Sequence, residues 1–226
     1  MPTCASDYSK DIAPALDDGR LDAPAYHRNH KAIIEVLARH LPPSGDVLEI
    51  GSGTGQHIVG FAEAIPNLTW WPSDPNPTHR TSIAAWSRLS EVENLKPPSD
   101  LDAAGDDWGP DRLGLPPAQN LAAIICINVL HIAPWAVTEG VLAGAGRHLK
   151  NGACLYVYGP FMRDGSHVAP SNAEFDTALR QRDPTWGVRD IADIERAALK
   201  HGLELAHVVE MPSNNFVLVL AKPGRD

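Results

Sequence analysis

The residues most suited to chemistry open with Asp46-Val-Leu-Glu-Ile-Gly-Ser-Gly-Thr-Gly-Gln-His57, an apolar run that ends in glycines at every second position. A buried strand that stops in such a turn and restarts as a helix brings bare backbone N–H groups against a ligand. Gly51, Ser52, Gly53, Thr54, Gly55 and His57 would form that turn, and Glu49 supplies an acid two residues ahead of it. A dinucleotide loop would read G-x-G-x-x-G, but Gln56 stands where its third glycine should fall. Asp74, followed by Pro75, ends the next apolar run 19 residues beyond Gly55. An acid at that offset is placed to accept the hydroxyls of a ribose. Further on, Asn128-Val-Leu-His131 closes another apolar run. The Asn128 carboxamide can both donate and accept, and an imidazole at His131 can take a proton from a hydroxyl, thiol or ammonium group. A plainer reading makes Asn128 a helix cap and His131 a strut in a pocket wall.

These residues need a frame, and the pattern of the chain supplies one. Strand and helix signals alternate: strands over 46–51, 69–74, 121–128 and 153–159, and helices over 30–41, 55–64, 81–89 and from Pro134. A short third strand or extended segment precedes Asp102. Residues 121–128 are apolar throughout, as a parallel strand covered on both faces should be. Ser171 with Glu174 has the spacing of a capping box, Asp190 opens a later helix that Gly202 closes, and 203–210 with 216–221 reads as a terminal hairpin-like pair. Alternating β and α predicts an α/β, Rossmann-like, doubly wound sheet with helices on both faces. Ligands in such sheets sit at the carboxyl ends of the strands. On that rim fall Trp135, Tyr158, Phe161, Asn172, Arg189, Asn214 and Asn215, aromatics and amides suited to a concave pocket for a small molecule.

Composition narrows the partners. The chain has 226 residues, which suits a single domain, assigned to 26–226, behind a polar leader or lid over 1–25. Lys plus Arg number 19 against 28 Asp plus Glu, and the net charge of −9 disfavours a phosphate backbone as partner. Cys4, Cys126 and Cys154 form no C-x-x-C pair, and His27 and His30 lack a third ligand, so no metal site is expected. The first 25 residues hold no continuous apolar stretch and no run approaches a membrane span, so the cytoplasm is the default compartment.

Read together, Leu48-Glu-Ile-Gly-Ser-Gly-Thr-Gly-Gln-His57, Trp71-Pro-Ser-Asp74, Leu101-Asp102 with Trp108, and Ile127-Asn-Val-Leu-His-Ile-Ala-Pro-Trp135 resemble one group of class I S-adenosylmethionine (SAM) methyltransferases. The likeness continues through Tyr158-Gly-Pro-Phe161, Ser171-Asn172, Trp186-Gly-Val-Arg-Asp190 and Met211-Pro-Ser-Asn-Asn215. The group is the domain of unknown function 938 family, which includes methyltransferase-like protein 26. The chain departs from it with His27 where an acid usually precedes Arg28-Asn29, with glycine in place of a frequent alanine at Gly51, and with a longer leader.

The resemblance implies a seven-stranded sheet with an antiparallel last strand and a SAM site along the first four strand ends. Glu49 would serve the cofactor's amino-acid end, the turn at 51–55 its sulfonium and ribose, Asp74 the ribose, and Leu101 and Asp102 the adenine, although Asp100, Asp106 and Asp107 compete with Asp102. Arg28, just before the first helix, could clamp the cofactor's carboxylate. Asn128, His131 and Tyr158 become the residues that orient a nucleophile. The activity expected is methyl transfer to a small molecule, with no nucleic-acid or membrane partner and the oligomeric state open. The rivals are an NAD(P)-dependent oxidoreductase and a SAM-binding protein without transferase activity.

Overall fold

A computed structural model describes residues 18–105, 108–109 and 114–224. In chain order its strands are β1 (Gly45–Ile50), β2 (Leu68–Ser73), β3 (Leu121–Ile127), β4 (Leu149–Gly159), β5 (Phe161–Arg163), β6 (Ser166–His167), β7 (Arg189–Asp190), β8 (Glu204–Met211) and β9 (Asn215–Ala221). Its helices are α1 (Pro24–His40), α2 (Gln56–Ala64), α3 (Pro77–Ser90), α4 (Trp135–His148), α5 (Pro170–Arg182) and α6 (Ile191–Leu199). Six strands form the main sheet in the order β2-β1-β3-β4-β9-β8, and β6-β5-β7 make a small second sheet. β1 to β4 pair in parallel, while β9 runs antiparallel to both β4 and β8.

Period-two alternation sends the strand side chains to two cores. Val47, Ile125, Tyr156 and Val219 pack with Ile33 and Leu37 of α1 and with Ile58 and Phe61 of α2. Leu48, Ile124, Leu155 and Leu218 pack with Val141 and Ala145 of α4 and with Ile194 and Ala198 of α6. Helices therefore cover both faces of the parallel strands.

Several expectations need correction. Among the described residues the sheet has six strands rather than seven. The extended segment before Asp102 forms no continuous ladder with β2, pairing with it at two isolated bridges, Trp70 with Leu95 and Ser73 with Ser99. Proline lacks the N–H that a ladder needs, and Pro72 faces Pro97-Pro98 where the pairing would continue. Helix α1 starts at Pro24, six residues before the expected start, because that proline occupies the first helical turn instead of breaking the chain. Likewise Pro170 opens α5 behind Ala169, which makes no side-chain cap bond, so Ser171 is inside the helix and caps nothing.

Of the leader, residues 1–17 lie outside the described residues, and the remainder is stitched to α2 and α3. The Leu21 N–H donates to Ser82 Oγ at 2.8 Å, Ser82 Oγ donates to the Thr54 carbonyl at 2.7 Å, and Trp86 Nε1 donates to the Leu21 carbonyl at 2.9 Å. Ala23 N–H donates to Gln56 Oε1 and Gln56 Nε2 to Asp22 Oδ1. Gln56, where a dinucleotide loop would need glycine, thus joins Ser82 in tying this segment to the glycine turn. Replacing Ser82 by Ala leaves two buried backbone groups unpaired, at a cost of about 1–3 kcal/mol. Chemical denaturation of Ser82→Ala should show that loss, and the Leu21 amide should exchange faster with solvent; an unchanged midpoint and exchange rate would refute the anchor.

Candidate active site

The carboxyl ends of β1 to β4 open into a cavity of about 900 Å³. Gly51, Ser52, Gly53 and Thr54 line it. Gly55 does not: it precedes α2 with φ 90°, and a Cβ there would lie 2.7 Å from the Ile83 Cα of α3. Its role is close helix packing. At Gly53, φ 55°, a Cβ would meet nothing within 4 Å, so the backbone there lies bare against the cavity.

Glu49 is 1% exposed, and among the described residues its Oε2 has no hydrogen-bond partner. Burial pushes its carboxyl up to about 7; a hydrogen bond from Ser52 opposes the shift and the Asp74 charge adds to it. A buried, half-satisfied acid facing a cavity calls for a cationic or hydrogen-bonding ligand group. Asp74 is already engaged. Its Oδ2 accepts from the Gly53 N–H at 2.9 Å, and its Oδ1 accepts from the Asn76 N–H at 2.8 Å and lies 3.1 Å from His79 Nδ1. The spare lone pair is on Oδ2, since each carboxylate oxygen accepts about two bonds. Pro75 and Leu101 line the cavity beside it. Asp102 lines it too, exposed, with Oδ1 accepting from the Ala104 N–H at 3.0 Å.

Asn128 follows β3 in the left-handed region, φ 58°, with its N–H donating to the Tyr158 carbonyl at 2.9 Å. His131 sits on the short turn Leu130–Ile132, buried, edge-on to Phe175 at 5.5 Å between ring centroids. Burial, helped by the Arg189 charge, drops its pKa to about 3, so the ring is a neutral imidazole. Tyr158 is also buried, and desolvation raises its phenol while an Asn29 hydrogen bond and the Arg28 charge pull the other way. Asn29 Oδ1 accepts from His57 Nε2 at 2.8 Å, and burial, then the neighbouring His30, lowers His57 to about 4. Arg28, Asn29 and His57 all line the cavity, Arg28 from an exposed position on α1.

Asn172 and Asn215 line the opposite wall, and Asn172 Nδ2 donates to the Asn214 carbonyl at 3.1 Å. Four residues expected on that wall do not line the cavity. Phe161 is in the core beneath α4 and α6. Arg189 turns its guanidinium to the carbonyls of Leu130, Ala133 and Thr185, and lies 5.8 Å from the Trp135 ring, itself packed against the same core. Asn214 offers the wall its backbone carbonyl only, through Asn172. Conversely, His79, Asn29, Phe175 and Ser213 reach the cavity without having been singled out as site residues. His79 lies in the first turn of the helix that follows Asp74, and Ser213 follows a proline in a turn with φ 60°; neither signal separates a site from a surface.

The comparison that decides the family is a match over residues 20–222 to the model described as "Protein of unknown function (DUF938)". The chain belongs to that family. Solved structures extend the likeness of this DUF938 protein to its fold. An O-methyltransferase family protein from Burkholderia thailandensis matches at 14% identity and TM-score 0.72, covering 89% of this chain and 58% of that one. CalO1, a methyltransferase in calicheamicin biosynthesis in its S-adenosylhomocysteine-bound form, matches at 21% identity and TM-score 0.64, over 85% and 54%. A geranyl diphosphate C-methyltransferase from Streptomyces coelicolor A3(2), in complex with Mg2+, geranyl diphosphate and S-adenosyl-L-homocysteine, matches at 10% and 0.66, over 87% and 80%. The DUF938 chain spans somewhat over half the length of the first two.

The Glu49 geometry has a measurable consequence. Its folded carboxyl holds a proton up to about 7, against an ordinary 4.5, so between those values the folded state binds more protons than the unfolded one. Stability should therefore fall as pH rises through that window, by on the order of 3 kcal/mol. His57 and His131, shifted down, act in the opposite sense below about 6.5, so the difference between the parent and Glu49→Gln isolates the effect. Parallel denaturation profiles for the two proteins from pH 4.5 to 7 would refute a buried, unpartnered acid at Glu49.

Proposed function

We propose that the protein is a SAM-dependent methyltransferase acting on a small molecule. The observation that carries this reading is the unpartnered Glu49 Oε2 beside a glycine turn bare toward the cavity. An ammonium group satisfies the first and a ligand laid flat on backbone suits the second. In this reading Glu49 takes the cofactor's amino group, Arg28 its carboxylate, Asp74 Oδ2 a ribose hydroxyl, and Leu101 with Asp102 the adenine. The motif strings also favour kinship with methyltransferase-like protein 26 within the family. SAM, when bound, supplies a methyl group that its sulfonium has already activated.

The chain's own part is to hold, orient and dry the reacting pair. Asn128, on its constrained backbone, presents a fixed carboxamide at the end of β3. Tyr158 offers a phenol restrained by Asn29. His131, neutral and buried, offers a lone pair or an N–H for positioning and is too weak a base to strip an alcohol.

S-adenosylhomocysteine should raise the thermal midpoint, by about 2.7 kcal/mol of stabilisation at a hundredfold excess over Kd, where NAD(H) does not. The reverse preference would hand the site to an oxidoreductase. Arg28→Ala should weaken SAM binding about tenfold, the loss of one charge-assisted pair. His131→Ala should lower turnover far more than SAM affinity, and unchanged turnover would remove it from the site.

A further inference from the structure

The charges lining the cavity are segregated. Its formally charged side chains, among the described residues, are Glu49, Asp74, Asp102 and Arg28. The three acids belong to the β1 and β2 side of the site. Across β3, the ends of β4, β8 and β9 and the start of α5 contribute Tyr158, Ser171, Asn172, Ser213 and Asn215, all neutral; the three hydroxyls can donate, while the Asn215 amide and one N–H of Asn172 already serve backbone carbonyls. With strands about 4.8 Å apart, β2 and β4 are separated by about 14 Å, so the β2 acid Asp74 is remote from this second half. Arg28, whose charge acts on Tyr158, is the charged side chain from α1 on that side, and it is a cation. Helix α5 starts there with no acid in its first turn and no side-chain cap, so its positive end is unbalanced.

An ammonium substrate would find no carboxylate at this end to bind it. It would find no base either, because His131 and His57 are held neutral well below their ordinary range and Tyr158 is shifted up. An anion finds the Tyr158, Ser171 and Ser213 hydroxyls and the positive end of α5, while Arg28, once paired with the cofactor's carboxylate, sets no net charge against it. Resting on the methyltransferase reading above, we propose that the group methylated here is an ionised acid of a small molecule, an oxygen or sulfur anion such as a carboxylate, an acidic phenolate or a thiolate.

The step then balances without a base. A lone pair of the anion forms the new bond to the methyl carbon, and the methyl–sulfur bond breaks with its electron pair left on sulfur. The anion and the sulfonium cancel, and no proton needs a place to go. A dry cavity favours such charge neutralisation, since opposite charges attract more strongly at low dielectric.

The test uses the whole protein saturated with S-adenosylhomocysteine and matched probes at equal concentration near pH 8: benzoate, 4-nitrophenolate and thiophenolate against benzylamine and 4-methylbenzylamine. The acids should raise the thermal midpoint further and the amines should not. Amines preferred, or neither class bound, overturns the inference. In parallel, a metabolite extract is treated with methyl-labelled SAM, and the labelled products are passed over a cation exchanger. Label should run through in uncharged esters, ethers or thioethers; label retained on methylated amines overturns the inference alone. If S-adenosylhomocysteine itself gives no shift and no label moves, the methyltransferase reading falls as well. Ser171→Asp adds a charge at the neutral end while favouring the first turn of α5, so it should fold normally and keep its S-adenosylhomocysteine affinity. It should weaken benzoate binding about tenfold, as a like charge nearby predicts, while Ser171→Asn restores it; equal benzoate affinity in Ser171→Asp would overturn the inference.

Discussion

The site depends on one topological constraint. β1 lies between β2 and β3. After β1 the chain crosses by α2 to β2 on one side, and it later returns as β3 on the other. Connections that leave in opposite directions cannot cover the gap between the two strand ends, and a crevice results. The glycine turn ends one lip and Asn128 ends the other. The cavity is therefore a product of strand order, and the side chains only furnish it.

Local features at this crevice all weaken the isolated protein. Glu49 is buried with an oxygen unpartnered, Asn128 is in a left-handed conformation, and His131 is kept neutral by burial. Costs of about 1–3 kcal/mol each are typical of such features. They persist because apolar cores on both faces of the sheet fix the strands from which they project. Asparagine at 128 is informative in this respect. Glycine would relieve the backbone, whereas asparagine tolerates it and retains a polar side chain at the cavity.

The sheet was the most legible part of the chain, because unbroken apolar runs such as 121–127 have no good alternative to a covered strand. The turn at 51–55 was legible because spacing alone distinguishes its glycines from a dinucleotide loop. Two helix starts were misplaced: α1 was expected from 30 and a cap at Ser171, whereas Pro24 and Pro170 occupy the first turns of α1 and α5. Pro97 and Pro98 had the opposite effect, thinning an expected strand to two bridges. The far wall of the cavity was least legible. Phe161 and Trp135 pack in the core, while Phe175 reaches the cavity, and one aromatic in a string looks like another until a three-residue strand such as β5 sets which way it turns.

Helix α1 joins the two halves of the site, and it is held unevenly. Its buried apolar residues, Ile33, Val36 and Leu37, lie in its second half. The first half is held by polar and ring contacts: Asp22 with Gln56 and His27, Tyr26 stacked on His30 at 4.4 Å and edge-on to His57 at 5.2 Å, and Asn29 between His57 and Tyr158. Hydrogen bonds exchange readily with water and contribute less net stability than apolar burial, so the first half opens at lower cost than the second. Arg28 and Asn29 are on that half. The segment that borders both the acid-lined and the neutral ends of the cavity is thus held by polar and ring contacts, next to an apolar second half docked to the sheet.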